Sequence, residues 1–282
     1  MAGGAQWLPA AARSSGAAGW RACWIADVTA QGPGCRRRLA GTAAANNVLV
    51  RQALNYAINR GTIVQMYGGP SFATPTCQPL APGLPGYSRY CPYTLDPSPD
   101  GVWSTPDLAK ARHLAGESGT LGEQVTVSGM NDEPYIPREV PAYIAGILRS
   151  LGYHVQLHTL PAAVITEQMR THYQLTADGD WLADYPDPSS YLPQFFSCNG
   201  GNGNGFYCSP ALDDEMAEAS SLELTHPATA TALWTSIDHQ LTNDAAWVPT
   251  VNEREVDLVS KRLRNYEYNP VWGFLADQSW LG

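Results

Sequence analysis

The stretch Trp181-Leu182-Ala183-Asp184-Tyr185-Pro186-Asp187-Pro188-Ser189-Ser190-Tyr191-Leu192 contains three aromatic residues, two acids and two prolines. Each proline fixes its own φ angle and disfavours helical geometry in the residue before it. Tyr185 and Asp187 are therefore predicted to lie in a stiff, non-helical turn. A rigid turn that presents aromatic faces and carboxylates is suited to hold a small molecule. The same residues also fit a proline-rich surface turn with solvated acids, which is the more common structure for such a pattern.

The segments before this turn alternate between strand and helix patterns. Residues 125–127 are predicted as a strand, residues 138–150 as a helix and residues 153–157 as a second strand. A strand, a helix and a strand of these lengths predict a βαβ unit with two parallel strands. A further strand over residues 174–181 leads into the turn. Ligands of open α/β sheets bind at the carboxyl ends of strands, where this turn would lie.

Several helix starts are predicted from capping residues. Thr105 and Pro106 fit the N-cap and first position of a helix, with Leu108 on its inward face. Thr62 is predicted to cap a short helix that follows the helix over residues 47–60. Ser209 is predicted to cap a helix that begins at the proline after it.

Three segments resemble motifs of the family 5 extracellular solute-binding proteins, the peptide- and nickel-type receptors of ABC importers. Trp181-x-x-Asp184-Tyr185-Pro186-Asp187-Pro188 resembles the family's W-x-x-D-Y-x-D-P segment. Residues 50–60 resemble V-R-x-A-x-x-Y-A-I-D-R, with Asn59 where the family usually has Asp. Residues 107–114 are similar to the D-x-x-K-A-x-x-L-L helix. The resemblance covers about residues 46–282, which corresponds to about the C-terminal half of a family member.

The resemblance implies an α/β fold of the type II periplasmic-binding-protein kind, in which two lobes close on a ligand. Residues 46–246 are expected to form the second ligand-binding lobe. Residues 247–282 are expected to return through the hinge as a remnant of the first lobe. Residues 1–45 lack any helix or strand period, so they are predicted to be an irregular, disordered leader.

The function that the resemblance implies is capture of a peptide or similar small solute and its delivery to the membrane permease of an ABC importer. In peptide-binding members, the Asp of the W-x-x-D-Y segment pairs with the amino terminus of the ligand, and that position here is Asp184. Trp181 and Tyr185 are expected to pack against the ligand. Asp187 is expected to cap the helix that starts near Ser189. No cofactor is expected.

Other classes of function have less support from the residues. The runner-up is a ligand-sensing or interaction module derived from the same lobe, which would not itself transport. A hydrolase comes third, because no serine lies in a G-x-S-x-G elbow and no catalytic residue is predicted. His154 and His158 lie on one face of a strand, but exposed strand histidines explain them better than a metal site. No metal ligand is therefore assigned.

Charge and cysteines indicate the partners and the compartment. The net charge of −9 argues against nucleic acid as a partner, since a phosphate backbone requires a basic face. Cys77 with Cys91 and Cys198 with Cys208 each flank a loop rich in Gly, Pro or Asn, and are predicted as disulfides. Free thiols are the alternative, and metal ligation comes third. We see no secretion signal in the first thirty residues, so the extracytoplasmic expectation rests on the family and the cysteine pairs.

Overall fold

The structure is a computed structural model of the protein. Its described residues are 44, 47–132, 136–169, 175–176, 183–198, 207–254, 256–269 and 273–282, with the backbone alone at 22–23, 26–27, 29–30, 166–169 and 175–176. The helices among them are α1 Val48–Ala57, α2 Arg60–Met66, α3 Leu108–Glu117, α4 Val140–Ser150, α5 Ala162–Met169, α6 Leu192–Phe196, α7 Pro210–Leu222 and α8 Pro227–Asn243.

The strands of the described residues are mostly short. They are β1 Ala22–Cys23, β2 Ala26–Asp27, β3 Thr29–Ala30, β4 Ala73–Pro75, β5 Gln124–Met130, β6 His154–Leu160, β7 Leu175–Thr176, β8 Tyr207–Cys208, β9 Val251–Glu253, β10 Leu263–Arg264, β11 Tyr268–Asn269, β12 Gly273–Phe274 and β13 Trp280–Leu281. Within the described part of the chain, no helix is long and apolar enough to cross a membrane.

The main sheet has the strand order β2-β7-β5-β6, with β5 inside it. β5 and β6 are parallel, from Gln124 opposite His154 to Met130 opposite Leu160, and α4 connects them. The predicted βαβ unit is therefore confirmed. β7 pairs in parallel with the other side of β5, while β2 is antiparallel to β7. The strand predicted over residues 174–181 is confirmed at Leu175–Thr176, and residues 177–181 lie outside the described part.

The first hydrophobic core lies between this sheet and helices α1, α3 and α4. Val125 and Val127 alternate toward it from β5 and are almost fully buried. Ile144 and Leu148, one helical turn apart on α4, are also fully buried. Gly152 has a φ of +103°, which lets the chain turn directly from α4 into β6.

The predicted start of α3 is wrong. Asp107 caps the helix, because its side chain accepts a hydrogen bond from the Lys110 N–H at 2.9 Å. The carbonyl of Thr105 accepts the Leu95 N–H at 3.0 Å, which holds this residue outside the helix. Leu108 is consequently the first helical residue and is 43% exposed, not inward-facing.

The predicted cap of α2 is also wrong. Asn59 caps this helix, with its side-chain oxygen accepting the Thr62 N–H at 3.1 Å. Thr62 itself lies inside the helix. The motif that residues 50–60 resemble has Asp at this position, and the amide oxygen of Asn59 replaces a carboxylate oxygen as the cap acceptor without loss of the hydrogen bond.

Arg60 is fully buried and joins four parts of the chain. Its Nε donates to the carbonyls of Thr76 at 2.7 Å and Pro249 at 3.0 Å. Its terminal nitrogens donate to the carbonyls of Asn55 at 3.0 Å and Tyr93 at 3.4 Å, and to the Asn55 side chain at 3.0 Å. Burial lowers the pKa of Arg60 to about 9, so the guanidinium remains charged at neutral pH. Its charge is stabilised by carbonyl dipoles.

The second hydrophobic core lies between α6, α7 and α8. The predicted cap of α7 is confirmed, because the Ser209 side chain accepts the Leu212 N–H. The buried members of this core are Leu80, Tyr191, Leu192, Phe195, Phe196, Leu212, Met216, Ala219, Trp234, Ile237, Leu241, Ala246 and Trp247. This core supports the stretch quoted at the start, since Tyr191 and Leu192 end that stretch and Phe195 and Phe196 follow it in α6.

Both predicted cysteine pairs form disulfides in the structure. The Cα atoms of Cys77 and Cys91 are 5.0 Å apart, and those of Cys198 and Cys208 are 4.3 Å apart. The first bridge closes residues 77–91, which we call the disulfide loop. The loop lacks helices and strands. The disulfide therefore constrains it in place of the main-chain hydrogen bonds that a sheet would provide.

Six residues of the predicted leader, which comprises residues 1–45, lie in strands, and the leader itself stays a prediction. β1 pairs with β9, β2 with β7 and β3 with β8. Strands pair through their main-chain N–H and C=O groups. A segment without a side-chain period can therefore still form a strand, and the sequence pattern did not indicate this one. The remaining domain limits, 46–246 and 247–282, stay predictions.

Candidate functional site

The candidate site is the Asp184 turn, residues 183–191, which follows β7 and precedes α6. Residues 177–182 lie outside the described part of the chain, so the predicted contact residue Trp181 lies outside it as well. Pro188–Ser190 form one turn of 3₁₀ helix. The structure thus places two of the three predicted ligand residues, Asp184 and Tyr185, on the same turn.

Asp187 has a structural role in this turn. Its backbone is extended, with φ −145° and ψ 145°, as expected for a residue before proline. Its Oδ1 accepts the Ser189 N–H at 2.8 Å and the Ser189 hydroxyl at 2.7 Å. The prediction that Asp187 is a cap is confirmed, and this carboxylate is already engaged by the protein.

Asp184 and Tyr185 are both exposed. Among the described residues, no hydrogen-bond or ion-pair partner of the Asp184 carboxylate is found, in contrast to Asp187. The Tyr185 ring is 49% exposed, and its hydroxyl lies 3.2 Å from the Ser189 Oγ. The turn therefore presents a carboxylate and an aromatic ring that its own fold does not require. The predicted orientation of Asp184 toward a cleft stays a prediction.

Tyr191 fixes the base of the turn. This side chain is 4% exposed, and its hydroxyl donates to the Pro79 carbonyl at 3.0 Å and accepts the Ala81 N–H at 3.1 Å. Burial raises the pKa of Tyr191 well above its ordinary value, so the hydroxyl stays neutral. At the end of α6, which follows Tyr191, Phe196 packs on Trp247 with ring centroids 4.3 Å apart. The exposed part of the turn consequently stands on a rigid base.

Glu223 is a neighbour of the turn that sequence patterns did not predict. It lies at the end of α7 and contacts Asp187. Burial, and then the Asp187 carboxylate, raise the pKa of Glu223. Because a raised pKa favours the neutral form of the Glu223 carboxyl, it reduces the electrostatic repulsion between Glu223 and the Asp187 carboxylate. The only signal for this contact in the sequence is two acids 36 positions apart, which carries no information on proximity.

The turn offers little for acid–base or metal chemistry. The Asp187 oxygen bound to Ser189 serves the backbone, so Asp184 and Asp187 do not form a matched carboxylate pair. His154 and His158 are exposed on β6. In the described part of the chain, no group of three or more His, Cys, Asp or Glu side chains is placed to hold a metal ion.

The family is decided by a match to the model of the bacterial extracellular solute-binding proteins, family 5 middle region. This match spans residues 36–203, more than half of the 282 residues. The chain belongs to the family 5 extracellular solute-binding proteins. Its matched region includes α1 to α5 and the Asp184 turn.

Two curated relatives of this family 5 protein are glutathione-binding proteins named GsiB. The one from Escherichia coli (strain K12) is 25% identical over 245 residues, which is 81% of this chain and 44% of the relative. The one from Pectobacterium atrosepticum is 27% identical over 241 residues, which is 80% of this chain and 43% of the relative. The chain thus spans about half the length of the curated relatives that it matches.

Solved structures establish the fold. HbpA2 from Haemophilus parasuis aligns with a TM-score of 0.75 and 20% identity, over 94% of this chain and 49% of that one. The periplasmic binding protein DppA from Helicobacter pylori, solved with the peptide STSA, aligns with a TM-score of 0.70 and 22% identity, over 95% of this chain and 48% of that one. The fold is that of part of a type II periplasmic binding protein, as predicted.

Proposed function

We propose that this protein is the solute-binding component of an ABC importer, which captures a peptide or similar small solute for delivery to a membrane permease. Membership of family 5 supports this role. Glutathione-binding relatives and a structural neighbour solved with a peptide support a solute of peptide chemistry. The two disulfides support an extracytoplasmic location.

The observation that carries the proposal is the contrast between the two acids of the turn. Asp187 is held by Ser189, whereas Asp184 is exposed beside an exposed aromatic ring. A carboxylate that faces an ammonium group in a partly desolvated cleft forms a charge-assisted contact. Asp184 would bind the amino group of the solute, and Tyr185 and Trp181 would pack against it.

The domain limits belong to the same proposal. Residues 46–246 would form one ligand-binding lobe, and residues 247–282 would return through the hinge toward the other. The exposed apolar side chains of this last segment support an interface there. They are Val256, Leu258, Tyr266, Phe274, Trp280 and Leu281.

The test is calorimetric titration of the purified protein with the peptide Ser-Thr-Ser-Ala and with glutathione. Each is compared with its N-acetylated form, which lacks the ammonium group. We expect the free amine to bind and acetylation to weaken binding about tenfold or more. Equal binding of free and acetylated peptides would remove Asp184 from the ligand site. Absence of binding by either solute class, with a folded protein, would favour the interaction-module alternative.

A further inference from the structure

Glu223 occupies a position where a charged carboxylate is disfavoured. It is the C-cap residue of α7, a helix of 13 residues. The carbonyl groups at a helix C-terminus give that end a partial negative charge, which repels an acid. The backbone at this point is fixed, because the carbonyl of Leu222 accepts the Thr225 N–H at 3.1 Å and the His226 N–H at 2.7 Å. The Glu223 side chain therefore extends from a well-defined end of the helix.

The carboxyl group of Glu223 lies beside Asp187, Trp234 and Ser189. Its Oε1 is buried and, among the described residues, has no hydrogen-bond partner. The buried Trp234 N–H is not aligned to donate to it and has no partner either, and the Ser189 hydroxyl donates to Asp187 at 2.7 Å. A buried acceptor without a donor is costly, and native proteins rarely keep one. The donor that these side chains lack can be supplied by a proton.

A proton shared between Glu223 and Asp187 would satisfy both carboxyl groups. Asp187 uses its Oδ1 to accept the N–H and the hydroxyl of Ser189, and these bonds do not use its second oxygen. A protonated Glu223 can donate its O–H to the Asp187 carboxylate, whereas two charged carboxylates in contact repel each other. Burial, and then the Asp187 carboxylate, raise the pKa of Glu223, in agreement with the protonated form.

The other titratable groups on the surrounding elements are exposed or have other partners. Glu218, the preceding acid of α7, is exposed, as are His226 before α8 and Asp184 on the turn. Asp238 on α8 is hydrogen-bonded to the disulfide loop. Asp187 is therefore the charged group that determines how readily its neighbour at the end of α7 holds a proton.

We propose that Glu223 is a positioning residue of the solute site, which holds the Asp184 turn against α7 by sharing a proton with Asp187. The inference rests on the proposed function for its effect on binding, whereas the shared proton needs no ligand. Loss of this proton leaves two negative charges in contact and loosens the turn that carries Asp184 and Tyr185. Solute binding should therefore be strongest at low pH and weaken as pH rises through the range in which the pair loses its proton.

The first test needs no ligand. Hydrogen–deuterium exchange of the segment with the Ser189 N–H is measured at pH 5 and pH 7 and corrected for the intrinsic effect of pH on exchange. A surface turn exchanges through local opening, so the pH dependence of global stability does not enter. We expect protection to be about three- to tenfold lower at pH 7 in the wild type. It should not fall in Glu223→Gln, whose amide donates to Asp187 at both pH values.

The second test is calorimetric titration with Ser-Thr-Ser-Ala at pH 5 and pH 7, where the ammonium group of the peptide is charged. We expect the wild type to bind about three- to tenfold more weakly at pH 7. Glu223→Gln should bind at both pH values as the wild type does at pH 5, whereas Glu223→Ala, which lacks the donor, should bind weakly at both. Glu218→Gln, at the exposed acid of the same helix, is the matched control and should follow the wild type in both tests.

The inference fails if the wild type and Glu223→Gln show the same pH dependence of protection at Ser189, or the same pH dependence of peptide affinity. Failure of the proposed function gives a different result, which is the absence of peptide binding by the folded wild type at both pH values. In that case the exchange experiment alone decides whether the shared proton fixes the turn.

Discussion

Gln78 donates its side-chain N–H to the carboxylate of Asp238 across 2.6 Å and so joins the disulfide loop to the middle of α8. The other carboxylate oxygen accepts the Leu80 N–H at 2.7 Å. Asp238 is fully buried, and this burial raises its pKa to about 7, against the two hydrogen bonds that favour the charged form. The disulfide loop is thus attached to a group whose pKa lies near neutrality.

The first prediction concerns the pH dependence of stability. Because the folded protein holds the Asp238 proton up to about pH 7 and the unfolded chain releases it near the ordinary value, the folded state binds more protons between these limits. The free energy of unfolding should therefore fall as pH rises from about 4 to about 7, by an amount on the order of 1–4 kcal/mol from this group.

Asp238→Asn should flatten this part of the profile, as measured by urea unfolding at pH 5 and pH 8. Asp214→Asn, at an exposed acid of α7, is the matched control and should keep the slope of the wild type. A slope that survives in Asp238→Asn would assign the pH dependence to other groups, among them Glu223.

The second prediction separates the two acids of the Asp184 turn. Asp184→Asn should weaken binding of a solute with a free amine by about tenfold or more, because it removes a charged hydrogen bond. Asp187→Asn should change affinity little, since Asn also caps. Titration calorimetry with one peptide compares the variants. Equal losses from both substitutions would show that the turn acts through its fold and not through Asp184.

How much of the chain was predictable depended on the distance between interacting residues. The Asp187 cap was predicted because its partner lies two residues away. The βαβ unit was predicted because each of its three elements has its own local period and the elements follow one another directly in the chain. The roles of Arg60 and Asp238 were not, because their partners at positions 249 and 78 are 189 and 160 residues away. On a helical wheel, Asp238 lies beside Trp234 and Leu241 on the apolar face of α8, but that position does not identify Gln78 as its partner.

The wrong cap at Thr105 has the same origin. Its residue type favoured the cap locally, but the hydrogen bond from Leu95 to its carbonyl holds it in the loop. Local sequence patterns therefore predicted which helices and strands form. Main-chain contacts between distant segments determine the residues at which they begin and end.

The third prediction concerns Arg60. Arg60→Lys should lower the free energy of unfolding by about 3–5 kcal/mol, because one ammonium group cannot reach acceptors from four segments and several buried carbonyls lose their donor. Arg112→Lys, on the exposed face of α3, should change it by less than about 0.5 kcal/mol. Chemical unfolding of both variants provides the measurement. A mild effect of Arg60→Lys would mean that water replaces the guanidinium.

The fourth prediction concerns the disulfide loop. The double variant Cys77→Ser/Cys91→Ser should lose about 2–4 kcal/mol of stability, as expected for a closed loop of this size.

Cys198→Ser/Cys208→Ser is its control. Thermal unfolding should show a slightly smaller loss of stability for this variant, because its bridge spans 10 positions whereas the Cys77–Cys91 bridge spans 14. Unchanged stability of the Cys77/Cys91 variant would show that the hydrogen bonds to Asp238 are enough to order the loop.

The buried guanidinium of Arg60 also governs how the chain reaches its native state. Its donors need carbonyls from residues 55, 76, 93 and 249, so the site is complete only after the segment before β9 has docked. Until then the buried guanidinium lacks some of its hydrogen-bond acceptors. This cost disfavours a stable folding intermediate that contains only α1 to α6. Folding is therefore expected to be cooperative over about 200 residues, and a nick between α8 and β9 would loosen the helix pair α1–α2 at the opposite end of the sequence.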